Sequence, residues 1–327
     1  MDNNERKPYS YILGTMNIKY PHSSNTDKSI DSYKEIINYY SENYNNLILD
    51  TAYYYGNTET EIILGQILKD INNTNNIKIA TKANPWFEND FTNGKYGQLS
   101  KTNLERQLNT SLHNLGRQSV DYFYLHCYDY ETDLKETLET CDNLWRIEKF
   151  DKLGISNFSL RQMEDAIDIC EINGYNVPRY YQGMYNLMCR KVENIFDLLS
   201  DYNIEFWAYN PLAGGLLTGK YSSSMNDVGN SRFSNDNNVY RNIFWKPELL
   251  KNINEFVNDG ECLKRSYQWL RYNSKLRAND KIIMGVSTLD QLKSNTQCLN
   301  ERRCIMDIRK INRLYKNIEN ISPNYYY

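Results

Sequence analysis

Val120-Asp121-Tyr122-Phe123-Tyr124-Leu125-His126 is a run of mostly aromatic and aliphatic residues, free of glycine and proline, that closes on a histidine. Its length and composition read as a β-strand. Downstream, Leu134, Leu138, Cys141 and Leu144 recur at the spacing of one helix face, and upstream Ile63, Leu64, Ile67 and Leu68 do the same. Working outward, strand-like segments are expected over 11–18, 47–52, 77–83, 120–126, 152–157, 179–185, 205–211 and 282–287. The intervals are too long for hairpins and carry helical patterns. Eight alternating units imply an α/β chain with a parallel sheet closed into a (β/α)8 TIM barrel. An open doubly wound sheet is the alternative, but no GxGxxG follows the first strand.

The 327 residues exceed the usual domain size, yet barrels of this type run to that length as one domain, so 1–327 reads as a single unit. With 40% hydrophobic and 24% charged residues the chain can build a large core and remain soluble. Its net charge of -3, with the charges interleaved, offers nothing to nucleic acid. Seven scattered cysteines without a CxxC pair read as reduced thiols. Residues 1–8 are polar and charged, and no apolar run approaches a membrane span, so a cytoplasmic protein away from membranes is expected. The 29 tyrosines accompany an Asn/Ile/Lys bias and read as A/T-rich codon usage rather than as an aromatic binding surface. The Gly/Ser/Asn-rich stretch 212–244 follows the seventh strand, where a barrel carries extra loops over its C-terminal face; it reads as a cofactor or substrate cover.

Chemistry gathers at the strand ends. Asp50, Lys82 and His126 fall at or beside the C-terminal ends of three successive strands, and Tyr55 follows Asp50 in its loop. Adjacent strands lie about 4.8 Å apart, so the four side chains can converge on the barrel end where catalytic residues collect. Together they make a proton-donating site. A phenol with an ordinary pKa near 10 is a poor acid at neutral pH, and an ammonium beside it is expected to lower that value. Lys82 would supply the ammonium, Asp50 would hold it by an ion pair, and His126 would donate a hydrogen bond to a carbonyl oxygen. Singly, each has a plainer reading as a polar strand end or a surface charge; their joint placement carries the argument.

Leu49-Asp-Thr-Ala-Tyr-Tyr-Tyr-Gly56, Ile79-Ala-Thr-Lys-Ala-Asn-Pro-Trp86, the opening strand, Leu153-Gly-Ile-Ser-Asn-Phe158 and Tyr181-Gln-Gly-Met-Tyr-Asn186 together resemble the aldo-keto reductases, nearest the aflatoxin-aldehyde and succinic-semialdehyde reductase branch. Asn210-Pro-Leu-Ala-Gly-Gly-Leu-Leu-Thr-Gly-Lys220 resembles that branch's cofactor-covering loop, and the likeness runs in order from about Leu13 to Tyr326. It implies NADPH-dependent reduction of aldehydes or ketones, with Asp50, Tyr55, Lys82 and His126 as the catalytic set and no metal. It further implies that Ser156, Asn157 and Gln182 bind the nicotinamide amide while Tyr209 stacks on the ring. Asn210, Leu212, Gly214, Gly215, Leu217, Gly219 and Lys220 would wrap the pyrophosphate. Arg232, Ser287, Thr288, Gln291 and Asn295 would hold the adenosine end, with Arg232 on the 2′-phosphate and the last four opening a helix after the eighth strand. His126 and Tyr240 would touch the substrate. A homodimer is implied by the branch alone.

The branch places arginines in the loop after the seventh strand and at the C-terminus, where they receive a carboxylate. Here those positions correspond to Ile243 and Tyr327, so a preference for succinic semialdehyde is not expected. A reading from another class is a cofactor-bound regulatory module resembling the potassium-channel β-subunits, which share the barrel; a partner surface and slow turnover would distinguish it.

Overall fold

A computed structural model of the chain describes residues 11–18, 26–71, 76–90, 92–221, 228, 232–233, 238–257 and 261–326, with backbone alone at 26–29, 238–239 and 257. Eight parallel strands form a closed barrel in sequence order: β1 (Tyr11–Gly14), β2 (Leu47–Asp50), β3 (Ile77–Ala83), β4 (Val120–Leu125), β5 (Phe150–Ser156), β6 (Tyr180–Met184), β7 (Glu205–Tyr209) and β8 (Lys281–Gly285). The ring closes where β1 pairs with β8, Tyr11 beside Ile282 and Gly14 beside Gly285. Around it run α1 (Thr26–Asn43), α2 (Glu59–Asp70), α3 (Lys101–Leu115), α4 (Leu134–Arg146), α5 (Leu160–Asn173) and α6 (Phe196–Asp201). The long crossover after β7 carries α7 (Asn238–Phe244), α8 (Pro247–Val257) and α9 (Cys262–Tyr272); α10 (Leu289–Asn300) and α11 (Ile308–Ile318) follow β8.

Strand alternation sorts the core into two layers. Ile12, Ile48, Ala80, Tyr122, Tyr124, Trp207 and Ile283 fill the barrel, while Phe123 and Leu125 of β4 join the larger cluster packed beneath the helices. Ile63, Leu64, Ile67 and Leu68 of α2 and Leu138, Cys141 and Leu144 of α4 supply the helical side of that cluster. Tyr124 lies so close across β5 that a Cβ on Gly154 would stand 2.3 Å from its ring. Hydroxyl and carboxylate caps start the helices: Ser159 forms a reciprocal capping box with Gln162 on α5, and Asp133, Thr288 and Asp307 cap α4, α10 and α11.

Most strands end sooner than their apolar pattern suggests: β1 at Gly14 rather than 18, β2 at Asp50 rather than 52, β7 at Tyr209 rather than 211. The pattern continues because the residues beyond, such as Thr15, Ile18, Thr51 and Ala52, are buried while turning over the barrel end. β5 begins at Phe150, two residues before its expected start at 152. Among the described residues no helix is long and apolar enough to cross a membrane. All seven cysteines are free thiols.

Candidate active site

Register brings the ionisable residues together. Asp50, the last residue of β2, pairs with Gly14 on one side and Ala80 on the other. Lys82 pairs with Tyr124 and therefore points into the barrel, where it is 1% exposed. An ammonium has three donors, and this one has three acceptors: Asp50 Oδ1 at 2.8 Å, the Thr51 carbonyl at 2.7 Å and the Tyr55 hydroxyl at 3.5 Å. Gln182 Nε2 donates to the same Asp50 oxygen at 2.7 Å. His126, one residue beyond β4, lies edge-on to Tyr55 with ring centroids 5.8 Å apart. The three strand-end candidates and Tyr55 thus share one site, in which Asp50 and Lys82 are buried and Tyr55 and His126 are partly exposed.

The electrostatics differ in one respect from the expectation. Burial, with Asp50 and Tyr240 next, pushes the Tyr55 hydroxyl well above its ordinary pKa; Arg232 opposes this. Burial also lowers Lys82, against the pull of Asp50. The resting phenol therefore keeps its proton at neutral pH: desolvation, with the Asp50 charge, outweighs the Arg232 guanidinium. Burial, followed by Lys82, holds His126 well below the usual histidine range, so the ring is neutral. His126 Nδ1 is buried without a hydrogen-bond partner. Placing the single ring proton on Nε2 avoids burying an unsatisfied N–H and leaves Nε2 as the donor.

The nicotinamide candidates gather at the ends of β5, β6 and β7. Ser156 is buried and pairs in register with Gln182. Asn157, in the left-handed region at φ 58°, donates from Nδ2 to the His126 carbonyl at 2.9 Å and accepts from the Tyr209 hydroxyl at 2.8 Å. Asn210 accepts from the Gly214 amide at 2.7 Å. The following run turns tightly over Ala213–Thr218, with Gly214 and Gly215 at positive φ. Its amides are largely engaged within the loop: Gly215 and Leu217 both donate to the Leu212 carbonyl and Gly219 to that of Leu216. Leu217 is fully buried. In this conformation the run presents side chains, Lys220 among them, rather than a cradle of free amides.

At the other side of the barrel mouth Arg232 donates to the Tyr240 hydroxyl at 2.8 Å and to Asn17 Oδ1 at 2.7 Å. Asn17 Nδ2 in turn reaches the Val286 carbonyl and Ser287 Oγ at 3.4 and 3.5 Å. Thr288 caps α10 by accepting from the Gln291 amide, and the Gln291 side chain accepts from the Ser287 amide. Asn295 lies a turn further along α10 and is buried. Ile243 packs partly buried against the main core. Tyr327 lies outside the described residues.

Two residues that sequence reasoning passed over organise this end of the barrel. Asn17 bridges Arg232 to Ser287 but is one asparagine among many. Asp129, 5% exposed, accepts from the Gly97 and Leu99 amides at 2.8 and 2.9 Å, the Glu131 amide at 3.1 Å and the Thr132 hydroxyl at 2.9 Å. An aspartate accepting from the amide two residues on is a recognisable turn signal that could have marked it.

The aldo/keto reductase family model matches residues 11–316. Aflatoxin B1 aldehyde reductase member 2 of Homo sapiens is 35% identical over 301 residues, covering 85% of this chain and 80% of its own. Aflatoxin B1 aldehyde reductase member 4 of Homo sapiens is 36% identical over 273 residues, 77% of this chain and 79% of its own. Aldo-keto reductase family 7 member A3 of Homo sapiens is 33% identical over 301 residues, with coverage of 85% and 87%.

Proposed function

Because the chain belongs to the aldo/keto reductase family, we propose that it is an NADPH-dependent oxidoreductase that reduces aldehydes or ketones to alcohols, with Tyr55 as proton donor. The observation that carries this reading is the buried Lys82 ammonium shared among Asp50, the Thr51 carbonyl and the Tyr55 hydroxyl. The relatives named as aldehyde reductases support the same chemistry.

The residues present suit the cofactor. Ser156, Asn157 and Gln182 bring the donors and acceptors a carboxamide needs to one edge of the barrel mouth, beside the half-buried ring of Tyr209. Arg232, Ser287 and the start of α10 supply a cation and a helix N-terminus for the adenosine phosphate. When bound there, NADPH supplies the hydride. The protein's own residues manage the proton. A substrate carbonyl oxygen between Tyr55 and His126 accepts a hydrogen bond from His126 Nε2 and receives the Tyr55 proton as its carbon takes the hydride. The phenolate left behind is stabilised by the Lys82 ammonium, which Asp50 keeps charged. Burial that keeps Tyr55 protonated at rest also makes the developing charge depend on Lys82.

Tyr55→Phe retains the ring and removes the acid; it should bind NADPH normally while kcat falls on the order of 10²–10⁴-fold. Near-wild-type turnover in that variant would remove Tyr55 from the mechanism. Ile243 offers no cation to an anionic tail, and a lost charge-assisted hydrogen bond is worth roughly 1.5–3 kcal/mol. We therefore expect kcat/KM for a neutral short-chain aldehyde to exceed that for succinic semialdehyde, and Ile243→Arg to move the ratio towards the acid. A wild-type preference for the acid would contradict this view of the pocket.

A further inference from the structure

The small net charge of the chain conceals an uneven distribution. Residues 302–316 carry six of its 38 lysines and arginines but one of its 41 acidic residues, a local charge of +5 that leaves -8 on the remainder. The six cations, Arg302, Arg303, Arg309, Lys310, Arg313 and Lys316, are all exposed. Ile311, Leu314 and Ile318 anchor α11 in the core, so the helix turns its other side outward. Arg309, Arg313 and Lys316, at intervals of four and three, form a stripe along that side, with Lys310 beside them. Only the far end of the stripe is offset by a neighbouring acid, where Lys316 pairs with Glu319 at 2.6 Å.

The loop that leads into α11 adds an apolar tip. Ile305 is fully exposed, two residues after Arg303 and four before Arg309. The loop that presents it is nevertheless pinned. Gln268, wholly buried on α9, accepts from the Cys304 amide at 2.5 Å and donates to the Arg302 carbonyl at 3.0 Å. Arg303 donates to Asn273 Oδ1 at 2.6 Å and lies over the Tyr272 ring. A held apolar tip between two groups of cations fits a particular kind of surface. A nucleic-acid backbone would use the cations and gain little from an isoleucine. An anionic bilayer uses both, the cations among its headgroups and the branched side chain at the acyl boundary below them.

We propose that residues 302–316 form a docking face for an anionic membrane surface, on which the protein sits peripherally with α11 along the headgroups and Ile305 inserted between them. The negative remainder of the molecule is repelled by the same surface, so the field of the whole protein turns this face towards it. The lack of a long apolar run in the sequence argues against spanning a bilayer and has no bearing on lying against one. Because the face contains none of the residues placed in the reductase site, docking and catalysis can be measured separately.

The test is co-sedimentation of the full chain with vesicles of equimolar phosphatidylserine and phosphatidylcholine, and with vesicles of phosphatidylcholine alone, at low and at physiological salt. The wild type should sediment with the mixed vesicles only, and less as salt rises. Arg309→Glu combined with Arg313→Glu should weaken partitioning roughly tenfold or more. Ile305→Ser leaves every charge in place and should weaken it roughly three- to tenfold. Lys69→Glu combined with Lys135→Glu reverses exposed cations of α2 and α4, changes the net charge equally, and should stay within about twofold of the wild type. All of these variants replace exposed side chains and should melt at the wild-type temperature, which separates lost docking from lost folding. Failure of the wild type to sediment with the mixed vesicles, an equal loss in the control pair, or wild-type partitioning by Ile305→Ser overturns the proposal. Retention of the wild type on single-stranded RNA without vesicle binding also overturns it, and assigns the face to nucleic acid.

Discussion

Lys82 is the side chain on which the site turns, because a charge with 1% exposure persists only where every donor is met. Its position at a strand end, with those of Asp50 and His126, was readable from the residue pattern, since the barrel geometry leaves few places for a polar residue inside an apolar strand. The direction of the Tyr55 shift was not readable. It depends on how deeply distant segments bury the phenol, and Tyr240 and Arg232 come from a crossover more than 170 residues further along the chain. Arg232 is also the residue whose role is most open to direct measurement. As the proposed 2′-phosphate partner, its replacement in Arg232→Ala should weaken NADPH by one to two orders of magnitude, about 1.5–3 kcal/mol for a charge-assisted hydrogen bond, and NADH far less. Titration with each cofactor decides it: equal losses would mean that Arg232 serves only to hold Tyr240 and Asn17 in place.

At the level of elements, helices α2 and α3 meet more closely than side chains allow. A Cβ on Gly65 would lie 2.1 Å from the Asn114 carbonyl oxygen, which is backbone and cannot rotate away. Gly65→Ala should therefore force the two helices apart and destabilise the protein by roughly 1–3 kcal/mol, although alanine is the better helix former. A Tm equal to or above that of the wild type would show that the helices adjust freely. Such close approach leaves no trace in one sequence beyond a glycine in a helical pattern. Strands were legible as elements but not in their ends, since the hydrophobic pattern cannot separate a residue buried in a ladder from one buried under a loop, as Thr51 and Ala52 are. The run 210–220 was legible as a turn-rich cover, yet the use its amides make of one another follows from backbone angles at Gly214 and Gly215 that composition does not specify.

For the whole molecule, the eightfold alternation was enough to imply the barrel, because parallel strands joined by helices have few ways to bury both faces. The tyrosines read in the sequence as codon usage; in the structure those at 96, 128 and 130 meet one another edge to edge. Closure of the ring has a further consequence for the chain as it is made. β1 pairs in register with β2 at Leu13 and Gly14, whereas all four of its residues pair with β8. The first strand thus finds its principal neighbour only after residue 285 has left the ribosome. At 5–20 residues per second that interval is roughly 15–60 s, long compared with the folding of a hairpin. Until then the β8-facing edge of Tyr11 to Gly14 stands unpaired, joined by the open edge of β7 once residue 209 has been made, so the nascent chain is most open to chaperone capture, or to pairing with another nascent copy, just before its last strand is synthesised.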